Sequence, residues 1–254
     1  MKYFVKESSV VRSIWGNTDT VLFIFAGASA EFALNKAVDW LYFTGRLPAD
    51  PIGRLFSTVA YAQKIVFSSD DDALKAIDTI TFIHRQVEMN RGSQIPPWAY
   101  RDVLYMLIHY SIAAYELLFR QLTPAEKEEV FDVFYRVGQR MQLQDLPPNY
   151  ESWIVSRRQH IQDDLAMSRY TSDLFLQYKK QLGISRYKIL IEAQKLVVPE
   201  EVYALLKFGQ THWLRPSVPA YKFCRLIHLD GWVRKLLLPE SYRSRLLALD
   251  KSGQ

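Results

Sequence analysis

The sequence predicts an all-α protein, a single multi-helix domain of eight to eleven helices spanning residues 1–254. Three features carry that expectation. Apolar residues recur at helical spacing along most of the chain, alternating apolar–polar runs are short and few, and only 10 of 254 residues are glycine. A sandwich or barrel would need the opposite pattern, many short alternating strands joined by glycine-rich turns. At 49% hydrophobic, with 15 Tyr and 14 Phe, the chain has enough apolar material for a large, aromatic-rich core or pocket.

The elements follow in order. Thr20 to Ala30 is uncharged and apolar, bracketed by Asp19 and Glu31. It falls well short of the ~20 apolar residues a spanning helix needs, so we expect a buried helix, interrupted at Gly27. Residues 28–43 continue as an apolar helix ending at the Thr44-Gly45 breaker. Pro48 and Pro51 bound the next start, with Asp50 as N-cap and Pro51 at the first helical position, where its missing N–H is not needed. That helix runs to about Phe67. Ser69 to Asp72 supply the cap and first-turn negative charge of the helix carrying His84, which ends near Arg91-Gly92. Ile95-Pro-Pro97 opens a long helix through Tyr100, Leu104, Ile108 and Leu118. Thr123-Pro124-Ala125-Glu126 is a capping box with proline at the first position, opening a helix through Val130, Phe134 and Val137. Leu146-Pro-Pro-Asn149 stops the chain and starts Glu151 to Ala166. Helices near 170–182 and 185–196 and a Pro199-Glu-Glu start come next, and Pro216 and Pro239 punctuate the rest.

Composition excludes several function classes. The single cysteine, Cys224, rules out an intramolecular disulfide and any cysteine-based metal cluster, and points to a reduced, cytoplasmic setting. No apolar run follows Lys2 and Lys6, so neither a secretory signal nor an integral membrane segment is expected. The net charge of +5 is concentrated in residues 151–254, with Arg157, Arg158, Lys179, Lys180, Arg243 and Arg245. We assign this excess to a solvated surface. No zinc finger, RNA-recognition signature or Lys/Arg block accompanies it, so nucleic acid is not an expected partner. There is no nucleophile elbow, P-loop or dinucleotide fingerprint, and the histidines (His84, His109, His160, His212, His228) form no His-x-x-x-His pair. Asp70, Asp71 and Asp72 lack calcium-loop spacing and belong to the helix start that follows them.

What remains is a small polar set. Arg54 and Thr58, four residues apart, share a helix face. His84 shares its face with Ile77, Ile80, Thr81 and Val87. One imidazole facing an arginine and a hydroxyl, without cysteines, suits an axial haem ligand better than zinc. Each residue also has a plain structural role: a satisfied core histidine, a snorkelling arginine, a threonine bonded back to its own helix. His109, flanked by Leu104, Leu107, Ile108 and Ile112, has the same standing. Tyr61, Tyr100, Tyr105 and Tyr110 either line a pocket or fill the core.

Taken together, four blocks resemble the family of latex-clearing rubber oxygenases and the mycophenolic-acid-pathway oxygenase. They are Ser13-Ile-Trp-Gly-Asn-Thr-Asp-Thr-Val-Leu-Phe with Ala26-Gly-Ala-Ser-Ala-Glu; Asp50-Pro-Ile-Gly-Arg54-Leu-Phe-Ser-Thr58; Ile83-His84-Arg-Gln-Val87; and Tyr100-Arg-Asp-Val-Leu-Tyr-Met-Leu-Ile-His109 with the following Leu122-Thr-Pro and Leu146-Pro-Pro. The likeness is strongest over residues 10–170, leaving 171–254 as a helical C-terminal extension. It implies an all-α fold with a globin-like core and haem b as cofactor. His84 would be the proximal iron ligand, with Arg54 and Thr58 beside the haem as catalytic and cofactor-binding residues. His109 would be a cofactor-binding residue and the runner-up ligand. The implied activity is that of a haem-dependent oxidoreductase or oxygenase acting on a hydrophobic small molecule. The alternatives are a non-catalytic haem binder or sensor, and a cofactor-free helical interaction protein. A homo-oligomer is compatible with any of these. Three departures stand out. Ser57 replaces a lysine that rubber oxygenases carry before the threonine, Glu88 and Met89 fall where relatives have a glycine, and Trp40-Leu41 replace a His-Ser pair. Rubber cleavage therefore does not follow from the likeness.

Overall fold

The computed structural model describes residues 2–45 and 49–226. Pro48, Pro239, His228, Arg243, Arg245 and the side chain of Cys224 lie outside the described residues. Eleven helices occupy the described chain: α1 (Val10–Trp15), α2 (Thr18–Phe32), α3 (Asp39–Phe43), α4 (Pro51–Phe67), α5 (Asp70–Arg91), α6 (Pro97–Leu118), α7 (Pro124–Arg140), α8 (Tyr150–Asp164), α9 (Arg169–Val197), α10 (Glu200–Leu205) and α11 (Ser217–Leu226). Among these residues there is no strand, only two isolated bridges. The protein is all-α.

The helix starts are those the caps dictate. Asp50 Oδ1 accepts from the Gly53 N–H at 2.8 Å, with Pro51 at the first helical position of α4. Ser69 caps α5, whose first turn carries Asp70, Asp71 and Asp72 against the helix dipole. Thr123 and Glu126 form the reciprocal capping box of α7, and Asn149 caps α8. Each side-chain acceptor satisfies an N–H that would otherwise lack a partner. Gly92 closes α5 in the left-handed conformation at φ 68°. Gly183, at φ 74°, puts a kink inside α9, which splits it as the expected 170–182 and 185–196 pair requires.

Two expectations near the N-terminus are corrected. Residues 28–43 are not one helix: α2 stops at Phe32 and α3 starts at Asp39. The cause is long-range. Leu34 O accepts from Ala166 N at 2.8 Å and Lys36 N donates to Asp164 O at 3.0 Å, so backbone groups a helix would use are spent on the end of α8. Asn35 reinforces the turn by accepting from Ala37 N through its side chain at 2.7 Å. Nor does Gly27 interrupt α2, which is helical throughout. Glycine is there because the Tyr110 ring of α6 packs onto its Cα, and a Cβ would fall inside that ring.

The core forms where α2 lies along both α6 and α9, with α1, α4 and α7 closing around them. Trp15, Ile14, Ile24, Ile77, Tyr110, Leu174 and Tyr178 are all but inaccessible to solvent. Burying a side chain of this size contributes roughly 1.5–3 kcal/mol. Trp15 is fixed at both ends: its Nε1 donates to Ser111 Oγ at 3.1 Å and its carbonyl accepts from Gln63 Nε2 at 2.8 Å. Among the described residues, no helix is long and apolar enough to cross a membrane.

Candidate functional site

α4 and α5 pack against each other, and together with α6 they wall a cavity of about 240 Å³. Arg54, Thr58 and Tyr61 reach it from α4, Ile80, Ile83 and His84 from α5, and Tyr100, Val103 and Leu107 from α6. Phe32, Trp40 and Phe134 close other parts of the wall, which is predominantly apolar. Arg54, Thr58 and His84, chosen from spacing and resemblance, therefore meet in one cavity. Ile83 and Val103, more than a third exposed while lining it, mark its opening between α5 and α6.

His84 is the most unusual group there. Its Nδ1 is buried and has no hydrogen-bond partner among the described residues. Burial first, and the nearby Arg54 cation second, push its pKa down to about 4, against a smaller opposing pull from Glu88. The imidazole is thus neutral at ordinary pH, the state that metal coordination requires. The Tyr100 ring meets it edge-on, with centroids 5.1 Å apart and an interplanar angle of 85°. Tyr100 is itself tied down, its phenol donating to Glu88 Oε1 at 3.0 Å. The same oxygen accepts from Ile95 N at 2.9 Å, so Glu88, one turn beyond His84, joins the end of α5 to the start of α6. Thr58 Oγ1 donates to its own helix at Arg54 O, 3.3 Å away. Thr58 still forms part of the wall.

His109 is not part of this cavity's lining. It sits against Tyr110, bonds to the Val197 backbone and has a buried, unpartnered Nε2. Burial and Arg157 lower its pKa to about 4. Of the four tyrosines in question, Tyr61 and Tyr100 line the cavity, while Tyr105 and Tyr110 are core.

A second polar arrangement lies behind the wall, unsuspected from sequence. Glu31 on α2 accepts both terminal nitrogens of Arg157 on α8 and the phenol of Tyr110 at 2.7 Å. Asp102 on α6 stands 3.9 Å from Arg157 and 2.5 Å from His160 Nε2, and accepts from Asn35. His160 Nδ1 pairs with Asp164 at 2.7 Å. Burial opposes the charge on Glu31, but Arg157 outweighs it and holds the carboxyl below its ordinary range. Burial also opposes charge on His160, and Asp102 with Asp164 outweighs it, raising the imidazole's pKa. Oxygens of Glu31 and Asp102 and a nitrogen of His160 lie within 4.8 Å of one another, a grouping that could receive a metal ion. The Arg157 guanidinium already occupies the space beside Glu31, however, and Asp102 is paired with His160. Arg157, counted above as surface charge, is a core residue. The one sequence signal for this network was that Trp153, Arg157, His160 and Ile161 share a face of α8. Asn35 connects the two regions, since it lines the cavity and donates to Asp102.

No curated protein and no solved structure matches the chain. The family described as ER-bound oxygenase mpaB/B'/rubber oxygenase, catalytic domain, matches residues 14–251. The match runs through the C-terminal third as well as the segments that form the cavity. The chain belongs to the mpaB/rubber oxygenase catalytic-domain family.

Proposed function

We propose that this chain is a haem-b-dependent oxygenase for a hydrophobic small molecule, with His84 as the iron ligand. The observation that carries the reading is a neutral imidazole, His84, in the lining of an apolar cavity that Arg54 shares. A neutral imidazole is a ligand that haem iron takes, and Arg54 is a cation on the same wall to pair with a carboxylate of the porphyrin. When bound, haem supplies the oxygen chemistry that no side chain here can perform.

The remaining tasks fall to the chain. Burial and Arg54 keep His84 unprotonated, so its ring lone pair is available without competition from protons. Tyr100, held by Glu88, restricts how the imidazole can rotate. Apolar walls from α4, α5 and α6 bind the substrate and exclude water. Arg54 places fixed positive charge where negative charge develops. Thr58 shapes the wall beside it. His109 remains the second ligand candidate, as a neutral imidazole with an unpartnered Nε2 outside this lining.

The test is a hemin titration followed by visible absorption, on wild type, His84→Ala and His109→Ala. A saturable Soret band that is lost or displaced in His84→Ala alone supports the assignment. Loss in His109→Ala alone moves the ligand, and no saturable band in wild type rejects haem.

A further inference from the structure

We propose that Tyr100 is a redox-active residue of the cavity, with Glu88 as the base that receives its proton. The inference rests on the haem reading above and concerns where an oxidising equivalent goes once it arrives beside His84. Three features single out Tyr100. It lines the cavity, its ring edge touches the His84 ring at 5.1 Å between centroids, and its phenol donates to a carboxylate oxygen at 3.0 Å. A phenol that loses an electron becomes a strong acid, so a base already on the O–H lowers the cost of its oxidation. Glu88 is held in place for that task by the Ile95 N–H.

Other tyrosines lack one part of the set. Tyr178 lines the cavity, but its hydroxyl meets the Ser29 carbonyl at 3.4 Å, which is no base. Tyr42 has a carboxylate partner in Asp173 at 2.8 Å but does not line the cavity. Tyr110 bonds to Glu31, whose basicity is suppressed by Arg157, and it too lies outside the lining.

In the step, the Tyr100 phenol would give up one electron to an oxidising equivalent that bound haem would draw from hydrogen peroxide. The O–H bond breaks and the proton crosses the hydrogen bond to the Glu88 carboxylate. The products are a neutral tyrosyl radical, a protonated Glu88 and a haem one electron more reduced. The oxidising equivalent then sits on the protein, at the wall of the substrate cavity.

The experiment loads wild type, Tyr100→Phe, Glu88→Gln and Tyr42→Phe with hemin to equal Soret absorbance. Each is mixed with hydrogen peroxide, and the frozen samples are read by electron paramagnetic resonance. A tyrosyl signal is expected in wild type and Tyr42→Phe, reduced at least threefold in both Tyr100→Phe and Glu88→Gln. Undiminished radical in Tyr100→Phe overturns the proposal. Undiminished radical in Glu88→Gln overturns the role of the base. Tyr100→Phe keeps the ring against His84, so it decides the question even where Glu88→Gln loosens the α5–α6 junction. Absence of any saturable Soret band is a separate result, which rejects the haem reading and this inference with it.

Discussion

Replacing Arg157 by methionine tests how the interior holds its charges. In the native chain the Arg157 side chain is 5% exposed and its partner Glu31 is not exposed at all. Methionine fills much of the same volume but removes two hydrogen bonds to Glu31 and the cation 3.9 Å from Asp102. Breaking one half of a buried ion pair costs about 3–5 kcal/mol, because the surviving charge stays buried without compensation. Loss of the charge facing Asp102 argues for the upper part of that range. The Tyr110 hydroxyl, still donating to Glu31 at 2.7 Å, argues against exceeding it. We expect about 4 kcal/mol at pH 7, a large share of the ~5–15 kcal/mol that a domain typically has. In urea unfolding followed by circular dichroism, that lowers the midpoint by about 1–2 M for a slope of about 2–3 kcal/mol/M.

The pH dependence supplies a second check. Native Glu31 is held below its ordinary value of 4.5, so its contribution is present above that pH and lost as pH falls through the lower folded value. Without Arg157 only burial remains to dominate, and burial raises the carboxyl's pKa. The variant's penalty is therefore greatest at neutral pH and shrinks as pH falls toward 5. Adding Glu31→Gln to Arg157→Met should restore more than half of the loss. A single variant costing under about 1 kcal/mol, or a double variant as unstable as the sum of the singles, would refute the reasoning.

Three further outcomes follow from the same geometry. His84→Leu should leave the haem-free chain as stable as wild type or more so, since it removes a partnerless buried nitrogen, while abolishing the Soret band on hemin titration. A clear loss of haem-free stability by urea unfolding counts against an unpaired Nδ1. Gly27→Ala should cost about 1–3 kcal/mol through its clash with the Tyr110 ring. A thermal midpoint within 1 °C of wild type would mean the ring steps aside freely. His160 has its pKa raised by Asp102 and Asp164 against burial, so its contribution is full below the ordinary value of 6.5 and fades as pH rises through the higher folded value. Wild type should therefore lose more stability than His160→Gln between pH 6 and pH 9, and parallel curves for the two would exclude the linkage.

The helix starts were legible because a cap is settled within four residues. Asp50, Ser69, Thr123 and Asn149 each bond to an N–H three positions on, and the sequence shows both ends of the contact. Features set by distant partners were not legible. The break after Phe32 depends on Asp164 and Ala166, more than a hundred residues away. Glu31 looked like the charged end of an apolar run, and Arg157 like part of a basic surface, because neither sequence context reveals the other. The site was half legible. Arg54 and Thr58 at four-residue spacing, and His84 on the next helix, do meet in one cavity. His109 shares α6 with Tyr100, but nine residues at ~100° each place it half a turn away, off the cavity face. Helical phase, with a rise of about 13.5 Å along the axis, separates them.

The two polar regions of this interior treat charge differently. Behind the wall, Glu31 is paired with Arg157 and Asp102 with His160, and the raised His160 and lowered Glu31 both favour the charged, mutually paired state. Such a network ties α2, α6 and α8 together. In the cavity, His84 is kept neutral by burial and by Arg54, and its Nδ1 is given nothing to bond. Glu88 and Tyr100 hold its ring against the start of α6. Asn35, touching both regions, makes the paired network the support against which the cavity wall is held.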